Sequence, residues 1–370
     1  MEKGYYIHSE GRTTLGVSKK IDMQLEEFGK FYEMEEREIK VIPRTLLQRV
    51  LGLFPTASIA RDYESVLNGL DDPKFIYARR FTCDRKYLRF WKEIKKRFPD
   101  CKVILEIFTY PYDKDDFGKW NAWPFLIKEK LYRGKLKKYV DRFVTYSDDD
   151  VIFGIETIKT TNGVNVAAIP MVEGAYEDHT IRLLGVAYMQ QHHGYERVIE
   201  GMHRFYEKQT AAKAEWNITL SLVGDGPEKG RYMQLVDKYG LQDRVSFYPV
   251  LDGAELEAMY EQSDVALISF GMYKLGIYEK LGALKSRECL AKGMLLASGC
   301  EIETLDADYP YAYISPNDAS PVDMDGLIRF FETVTMQGDK TENAERIRQF
   351  AFDHVDNSTV MRPILNYVEA

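Results

Sequence analysis

The sequence predicts an α/β protein made of two doubly wound domains that face each other across a cleft. Short apolar strands alternate with amphipathic helices along the chain, as in parallel sheets that helices cover on both faces. The chain has 370 residues, more than one hydrophobic core usually holds. We therefore expect domains at 1–172 and 173–345, separated at the polar stretch 173–180, and C-terminal helices at 346–370 that could cross back to the first domain.

The charge supports the same division. Residues 1–170 carry 31 Lys and Arg against 26 Asp and Glu, whereas the rest of the chain carries 19 against 32. Two halves of opposite sign suggest domains with different partners.

The first half opens with an apolar strand at 4–9 and a loop that contains glycine, after which Ser18 is predicted to cap a helix. Glycines in such a loop let backbone N–H groups approach an anion, although a plain strand-to-helix connection has the same pattern. The same alternation predicts helices near 45–54, 58–70, 85–97 and 124–140, and strands at 75–78, 102–108 and 142–147.

The second half repeats the alternation and places distinctive junctions at the strand ends. Its predicted strands are 181–187, 218–223, 245–250, 265–269 and 294–298, and its predicted helices are 194–208, 228–239, 253–262, 283–292, 322–335, 343–353 and 357–369. Gly194 follows the first strand, the turn Gly224-Asp225-Gly226-Pro227 follows the second, and Lys285-Ser286-Arg287-Glu288 opens a late helix. Because parallel strands end at one edge of their sheet, we expect these junctions to form one ligand site.

Several classes of protein and site are disfavoured. No apolar run approaches the roughly 20 residues of a membrane-spanning helix, and the first residues do not resemble a signal segment. Four cysteines without a C-x-x-C pair predict reduced thiols in a cytoplasmic protein. No P-loop or G-x-S-x-G segment occurs.

Two possible metal sites are disfavoured. Adjacent His192 and His193 cannot easily converge on one ion. Asp148-Asp149-Asp150 is interpreted as the cap of a helix rather than as metal ligands.

Two segments of the first half, 84–97 and 119–142, are basic and contain aromatic and aliphatic residues. Amphipathic helices of this kind suit an anionic membrane surface, where each cation contributes about 1 kcal/mol. A solvated helix face has the same composition, so both interpretations stay open. Nucleic acid is disfavoured because the rest of the chain is acidic and no recognition motif occurs.

A set of stretches in consistent order carries a family resemblance. It comprises Asn162-Gly163-Val164, His193-Gly194-Tyr195-Glu196-Arg197, Gly224-Asp225-Gly226-Pro227, Lys285-Ser286-Arg287-Glu288 through Gly293, and in the first half Gly16-Val17-Ser18 and residues 106–113. Together they resemble the retaining GT-B glycosyltransferases of the family-four type, in particular a subgroup of bacterial cell-surface polysaccharide synthesis. The resemblance implies two Rossmann-like domains and a nucleotide-diphosphate sugar as donor, with no cofactor and no required metal.

The resemblance also implies site residues. Gly194 would admit the diphosphate to a helix N-terminus, and Glu288 matches a carboxylate that binds ribose hydroxyls. The other expected donor contacts are Gly16, His193, Gly224 and Pro249, and the expected acceptor-side residues are Thr109 and Tyr110.

The sequence departs from the family at its usual cations. The family commonly has a lysine where His193 stands and an arginine close to where Val186 or Ala187 stands. The leaving diphosphate gains negative charge, so it needs positive potential. We expect Lys285 and Arg287 to supply it as catalytic residues, with Arg12 a weaker candidate.

The residues expected to contact the transferred sugar also differ from those of the family. Lys280 stands where the family has a glutamate near the transferred sugar, and neighbouring Glu279 would point about 100° away on a helix.

The function implied is transfer of a sugar, with retention, to a glycan or lipid-linked saccharide in cell-surface polysaccharide synthesis. No protein nucleophile is evident, and the family is thought to use the donor phosphate oxygen and the acceptor hydroxyl on one face of the sugar. The location expected is the cytoplasm, with peripheral contact at the inner face of the membrane left open. A catalytically silent subunit that stabilises a partner enzyme or binds glycan, and a nucleotide-sugar epimerase of the same fold, are the alternatives.

Overall fold

The computed structural model describes residues 1–9, 15–43, 45, 54, 57–107, 110, 123–209, 216–276, 280 and 282–370. These residues form two compact units. Unit 1 is Met1–Asn162 with Val360–Ala370, and unit 2 is Gly163–Thr359. The end of the chain thus belongs to unit 1, and unit 2 begins ahead of the polar stretch 173–180.

Unit 1 is built on a seven-stranded sheet. Its strands are β1 (Lys3–His8), β2 (Glu33–Glu38), β3 (Pro73–Arg79), β4 (Lys102–Ile107), β5 (Arg142–Thr145), β6 (Val151–Ile152) and β7 (Ile155–Lys159). They lie in the order β2-β1-β3-β4-β5-β7-β6, with all pairs parallel except β6 with β7. Helices α1 (Leu15–Gly29), α2 (Tyr63–Asn68), α3 (Arg85–Arg97) and α4 (Trp123–Tyr132) connect them, and a 3₁₀ helix, Arg133–Lys138, follows α4.

Both faces of this sheet are buried, as the near-continuous apolar strands require. Along β3, Ile76 and Ala78 pack in one hydrophobic cluster, whereas the alternate residues Phe75 and Tyr77 pack in another. The second cluster includes Ile364 of the C-terminal helix, Asn357–Glu369.

Unit 2 contains a six-stranded, fully parallel sheet. Its strands are β8 (Thr180–Val186), β9 (Asn217–Val223), β10 (Val245–Tyr248), β11 (Val265–Leu267), β12 (Leu295–Ser298) and β13 (Ala312–Ile314), in the order β10-β9-β8-β11-β12-β13. Its helices are α5 (Glu196–Gln209), α6 (Lys229–Tyr239), α7 (Gly253–Glu261), α8 (Leu284–Lys292), α9 (Met324–Thr335) and α10 (Lys340–His354), and the C-terminal helix is α11. The two sheets, parallel apart from the β6–β7 pair and connected by helices, confirm the predicted α/β class with two doubly wound domains.

Two local predictions are wrong. Helix α1 already includes Leu15, so Ser18 lies within its first turns and cannot be its N-cap. Asp148-Asp149-Asp150 precedes strand β6 rather than a helix, because β6 and β7 form an antiparallel hairpin. The turn residues Phe153 and Gly154 have φ of 52° and 80°, the left-handed values that tight hairpins need.

The helix expected near 45–54 falls outside the described residues, apart from positions 45 and 54. All four cysteines are buried and free. Among the helices described, none is both long enough and apolar enough to cross a membrane.

Candidate functional site

The strand order of unit 2 reverses between β8 and β11, so the loops that follow these two strands leave the sheet side by side. Such a reversal opens a crevice at the carboxyl ends of the strands, where open α/β sheets bind ligands. Here the two loops are joined by backbone hydrogen bonds: Phe270 N–H donates to the His193 carbonyl at 2.8 Å, and Gly271 N–H donates to the His192 carbonyl at 3.0 Å.

Gly194 lies where these loops meet, at the start of the turn into α5. Its φ is +60°, and a Cβ there would come within 2.5 Å of Gly271 N and of the Phe270 carbonyl carbon. Glycine is therefore required by the packing of the two loops, before any ligand is considered.

His193 ends a short 3₁₀ helix, Gln191–His193, and is mostly buried. Its Nδ1 accepts a hydrogen bond from Gln190 N–H at 3.0 Å, which leaves the ring proton on Nε2. The pKa of His193 is lowered to about 3, mainly by burial and with smaller contributions from the nearby Lys285 and His192. His193 is thus a neutral hydrogen-bond donor and not a substitute for the missing family lysine.

Lys285 brings a positive charge to the same place. Its Nζ donates to the Tyr195 hydroxyl at 3.1 Å and lies 3.4 Å from the Ile268 carbonyl oxygen. The His193 ring is 5.7 Å from the ring of Tyr195, so both predicted residues converge on that tyrosine. Burial lowers the pKa of Lys285 to about 8.

The N-terminus of α8 adds further positive potential. Its N-cap residue, Ala283, offers no side-chain hydrogen bond to the first turn of the helix. Backbone N–H groups at an uncapped helix N-terminus favour an anion through their free donors and the helix dipole.

Arg287, the other predicted cation of α8, has different partners. Arg287 is fully buried, and its guanidinium donates to the Ala283 carbonyl at 3.0 Å and to the Glu303 carboxylate at 3.1 Å. Glu288 is half-buried and lies one turn after Lys285. The structure thus places Lys285, but not the Arg287 guanidinium, against Tyr195.

Gly224 and Pro249 contact each other, and Gly224 packs against the loop that follows β8. Gly224 N–H donates to the Pro249 carbonyl at 3.2 Å, and a Cβ on Gly224 would overlap the Ala187 carbonyl oxygen. Met189 N–H donates to the Asp225 carbonyl at 2.6 Å. These contacts explain the glycine-rich turn structurally, and direct donor contacts by Gly224 and Pro249 stay a prediction.

The remaining predicted residues are scattered. Gly16 lies in the first turn of α1, and the half-buried Tyr110 packs its ring 5.8 Å from Phe153, both in unit 1. Thr109, Arg12 and Glu279 lie outside the described residues. Lys280 is half exposed, with its Nζ 4.0 Å from the Glu301 carboxylate.

The sequence did not predict that residues 268–271, which follow β11, pack against the loop after β8. It also did not predict that Arg197 holds this segment in place. Buried Arg197 donates to three carbonyl oxygens, of Phe270 at 2.7 Å, Ser320 at 2.6 Å and Pro316 at 2.8 Å. The available signal was a glycine, Gly271, shortly after a buried strand. In the described parts of the chain, no group of three or more His, Cys, Asp or Glu could hold a metal ion.

Comparison with known proteins finds a family model that matches part of unit 2. Residues 173–282 match the family model described as glycosyl transferases group 1. No curated protein sequence is significantly similar to the chain.

Solved structures resemble the whole chain at low sequence identity. HepE of Anabaena, solved in complex with UDP, is 12% identical, with 100% of both chains covered and a TM-score of 0.60. Sucrose-phosphate synthase of Thermosynechococcus elongatus is 14% identical, with 100% of this chain and 99% of that chain covered and a TM-score of 0.58. A glycosyltransferase of Rickettsia africae is 12% identical, with 100% and 98% covered and a TM-score of 0.58. These likenesses show that the fold is that of the GT-B enzymes.

Proposed function

We propose that this chain transfers a sugar, with retention of anomeric configuration, from a nucleotide-diphosphate donor to a glycan or lipid-linked saccharide of a cell-surface polysaccharide. The observation that carries the proposal is the convergence of Lys285, neutral His193 and Gly194 where the strand order of unit 2 reverses. A similar structure solved with UDP supports a nucleotide sugar as the ligand.

The chemistry of the site follows from where charge develops. When the glycosidic bond breaks, the leaving diphosphate gains negative charge, and preorganised positive groups stabilise it. Lys285 and the uncapped N-terminus of α8 supply that potential, and His193 can donate a hydrogen bond from Nε2. Arg287, engaged by Glu303, contributes by holding the start of α8 in place.

Retention without a protein nucleophile is proposed from the family-four resemblance. The acceptor hydroxyl would attack on the face that the diphosphate leaves, and its proton would pass to a donor phosphate oxygen. No metal is needed for this step if Lys285 and the helix N-terminus carry the charge. Glu288, one turn along α8, is proposed to bind the ribose hydroxyls.

The acceptor is proposed to reach the enzyme at a membrane surface through unit 1. Helix α3 exposes the basic side chains of Arg85, Lys86, Arg89, Lys92, Lys96 and Arg97. Lys135, Lys137 and Lys138 extend the basic surface along the 3₁₀ helix, and Ile127 and Leu131 are 41% and 49% exposed on α4. Cations beside exposed aliphatic side chains favour an anionic bilayer.

A catalytically silent subunit is the second candidate, because Lys280 replaces a family glutamate and Arg287 is engaged by Glu303. A turnover assay separates the two. Incubated with a panel of nucleotide sugars and membrane-derived acceptor, the wild-type chain should release nucleoside diphosphate, and Lys285→Met should abolish most of the release. Lys238→Met, at an exposed lysine of the same unit, should leave it unchanged. Donor binding without release by the wild-type chain would favour the silent subunit.

A further inference from the structure

A groove between helices α2 and α3 of unit 1 has the size of a ligand site. Its volume is about 620 Å³, within the range of roughly 300–1,000 Å³ that small-molecule sites occupy. The lining includes buried Leu67 and Phe90, and the exposed side chains of Lys86, Arg89 and Arg97 on α3. Because these three cations are exposed, a ligand in the groove can reach them.

The groove also offers hydrogen-bond acceptors. Glu64 and Asn68 are exposed on α2, and Glu93 is half-buried on α3. Neither carboxylate makes an ion pair or a side-chain hydrogen bond in the described part of the chain, and the same holds for the Lys86 and Arg89 side chains. Both signs of charge in the groove are therefore accessible and uncommitted.

The charges on α3 form one stripe along the groove. Lys86, Arg89, Glu93 and Arg97 follow one another at intervals of three and four residues, which places them on one face of the helix. Arg89 and Glu93 stand one turn apart, a spacing at which opposite charges often pair, yet within the described structure they do not. Arg97 fixes the end of the stripe by donating to the Leu67 carbonyl at 3.1 Å.

This mixture of groups selects the chemistry of a ligand. Lysine and arginine side chains only donate hydrogen bonds, and they bind negatively charged oxygens most strongly. Carboxylates only accept, so Glu64 and Glu93 require donors and repel a ligand that is anionic throughout. A saccharide that carries a phosphate or a carboxylate supplies both kinds of group, because its hydroxyls donate.

Other classes of ligand match the groove poorly. Single-stranded nucleic acid stacks its bases on exposed aromatic rings, whereas the aromatic residues of this lining, Tyr63 and Phe90, are 7% and 1% exposed. A metal ion or a cationic peptide would meet four cations in the lining against three carboxylates. An anion that also carries hydroxyl donors is the ligand that leaves neither sign of charge unmatched.

We propose that the groove between α2 and α3 binds an anionic saccharide, with Lys86 and Arg89 donating to its phosphate or carboxylate and Glu93 accepting from its hydroxyls. The choice of a saccharide rests on the proposed function, transfer of a sugar to a glycan, in which this groove would hold a charged part of the acceptor. The groove lies wholly in unit 1, so its ligand can bind while the donor site of unit 2 is empty.

The experiment titrates the full-length chain by NMR with maltose 1-phosphate, lactobionate, maltose and inorganic phosphate. One of the two anionic sugars should bind about tenfold or more tightly than maltose and inorganic phosphate, because it supplies both charged oxygens and hydroxyl donors. Arg89→Met should weaken that binding about tenfold or more by removing charge-assisted hydrogen bonds. Glu93→Gln should weaken it about threefold or more without weakening the binding of inorganic phosphate, since the carboxylate meets hydroxyls.

Arg85→Met is the matched control, because Arg85 is exposed on the same helix and does not line the groove. Excess UDP should leave the binding unchanged, whereas displacement by UDP would place the sugar in unit 2 and overturn the proposal. Equal loss in Arg89→Met and Arg85→Met, or anionic sugars that bind no more tightly than maltose and inorganic phosphate, would also overturn it. The proposed function is tested separately by the binding of UDP itself, so the two failures are distinguishable.

Discussion

Lys285 places an ammonium group beside Tyr195 at the carboxyl edge of the unit 2 sheet. Its residue type and its position on α8 could be predicted from the sequence, because a lysine in the first turn of a helix suits a leaving diphosphate. The engagement of Arg287 by Glu303 could not, since the two residues are distant in sequence and meet only in the fold. The neutral state of His193 likewise depends on burial and on its hydrogen bond from Gln190.

The charge of Lys285 predicts an opposite pH dependence for ligand binding and for stability. Burial lowers the pKa of Lys285 from 10.5 to about 8, so the ammonium is present below that pH and is lost above it. Affinity for a nucleoside diphosphate should therefore fall by up to about tenfold as the pH rises from about 7 to about 9. The free energy of unfolding of the ligand-free chain should rise from about pH 8 to about pH 10, because the unfolded lysine binds a proton that the folded one has released.

Calorimetric titration and chemical denaturation over this range check both trends. Neighbouring groups do not titrate there, since burial raises the pKa of Cys289 to about 12 and lowers that of His193 to about 3. Lys285→Met should bind weakly at every pH. Retention of the wild-type pH profile in that variant would assign the titration to another group.

Glu288 is the second residue with a specific expected role. Glu288→Gln should weaken binding of a nucleoside diphosphate by about 1–3 kcal/mol, because a carboxylate that accepts two buried ribose hydroxyls is lost. The measurement is the dissociation constant by calorimetry, with Glu345→Gln, at an exposed glutamate of unit 2, as the control. If the two variants bind equally, Glu288 does not contact the ribose.

At the scale of elements, the sequence predicted the strands and helices with strong periodicity and missed those set by tertiary context. Helix α3 runs from Arg85 to Arg97, as predicted. Strand β2, Glu33–Glu38, is charged along its length and was missed, because it lies at the edge of the sheet and none of its residues is fully buried. The β6–β7 hairpin was missed because its Phe153-Gly154 turn lacks the usual Asn-Gly signature.

The joined loops after β8 and β11 predict the cost of replacing Gly194. Gly194→Ala places a Cβ in left-handed backbone and within 2.5 Å of the backbone of residues 270 and 271, so the loops must separate. We expect a loss of at least about 2 kcal/mol of stability, together with donor binding.

Gly240→Ala is the matched control, because its φ of +65° is similar and no atom lies within 4 Å of the added Cβ. Thermal denaturation of both variants separates the cost of the backbone conformation from that of the overlap. Equal melting temperatures would mean that the two loops are not packed together as described.

At the scale of the whole molecule, the opposite charges of the two halves were visible in the sequence, and the assignment of the last residues to unit 1 was foreseen only as a possibility. Val360 and Ile364 pack in the same cluster as Phe28 and Phe75, a contact between sequence-distant apolar residues that periodicity alone does not specify. The basic exposed face of α3 is the feature of unit 1 that predicts membrane contact.

That contact should depend on salt. The full-length chain should sediment with anionic vesicles at low ionic strength and be released as salt is added, since exposed charges are screened over about 10 Å at 0.1 M. Lys92→Glu with Lys96→Glu should reduce sedimentation, because both side chains are exposed on α3 and the substitution reverses their charge. Lys208→Glu with Lys238→Glu in unit 2 is the control. Equal sedimentation of the two double variants would show that α3 does not face the bilayer.

The central claim is that the carboxyl edge of unit 2, beside Lys285 and Gly194, binds a nucleoside diphosphate. Calorimetric titration of the purified chain with UDP, GDP, ADP and their sugars tests it most directly. We expect one bound equivalent of at least one of these ligands, with affinity weakened about tenfold or more in Lys285→Met and unchanged in Lys238→Met. Failure of every ligand to bind, or equal affinity in the wild-type chain and Lys285→Met, would contradict it.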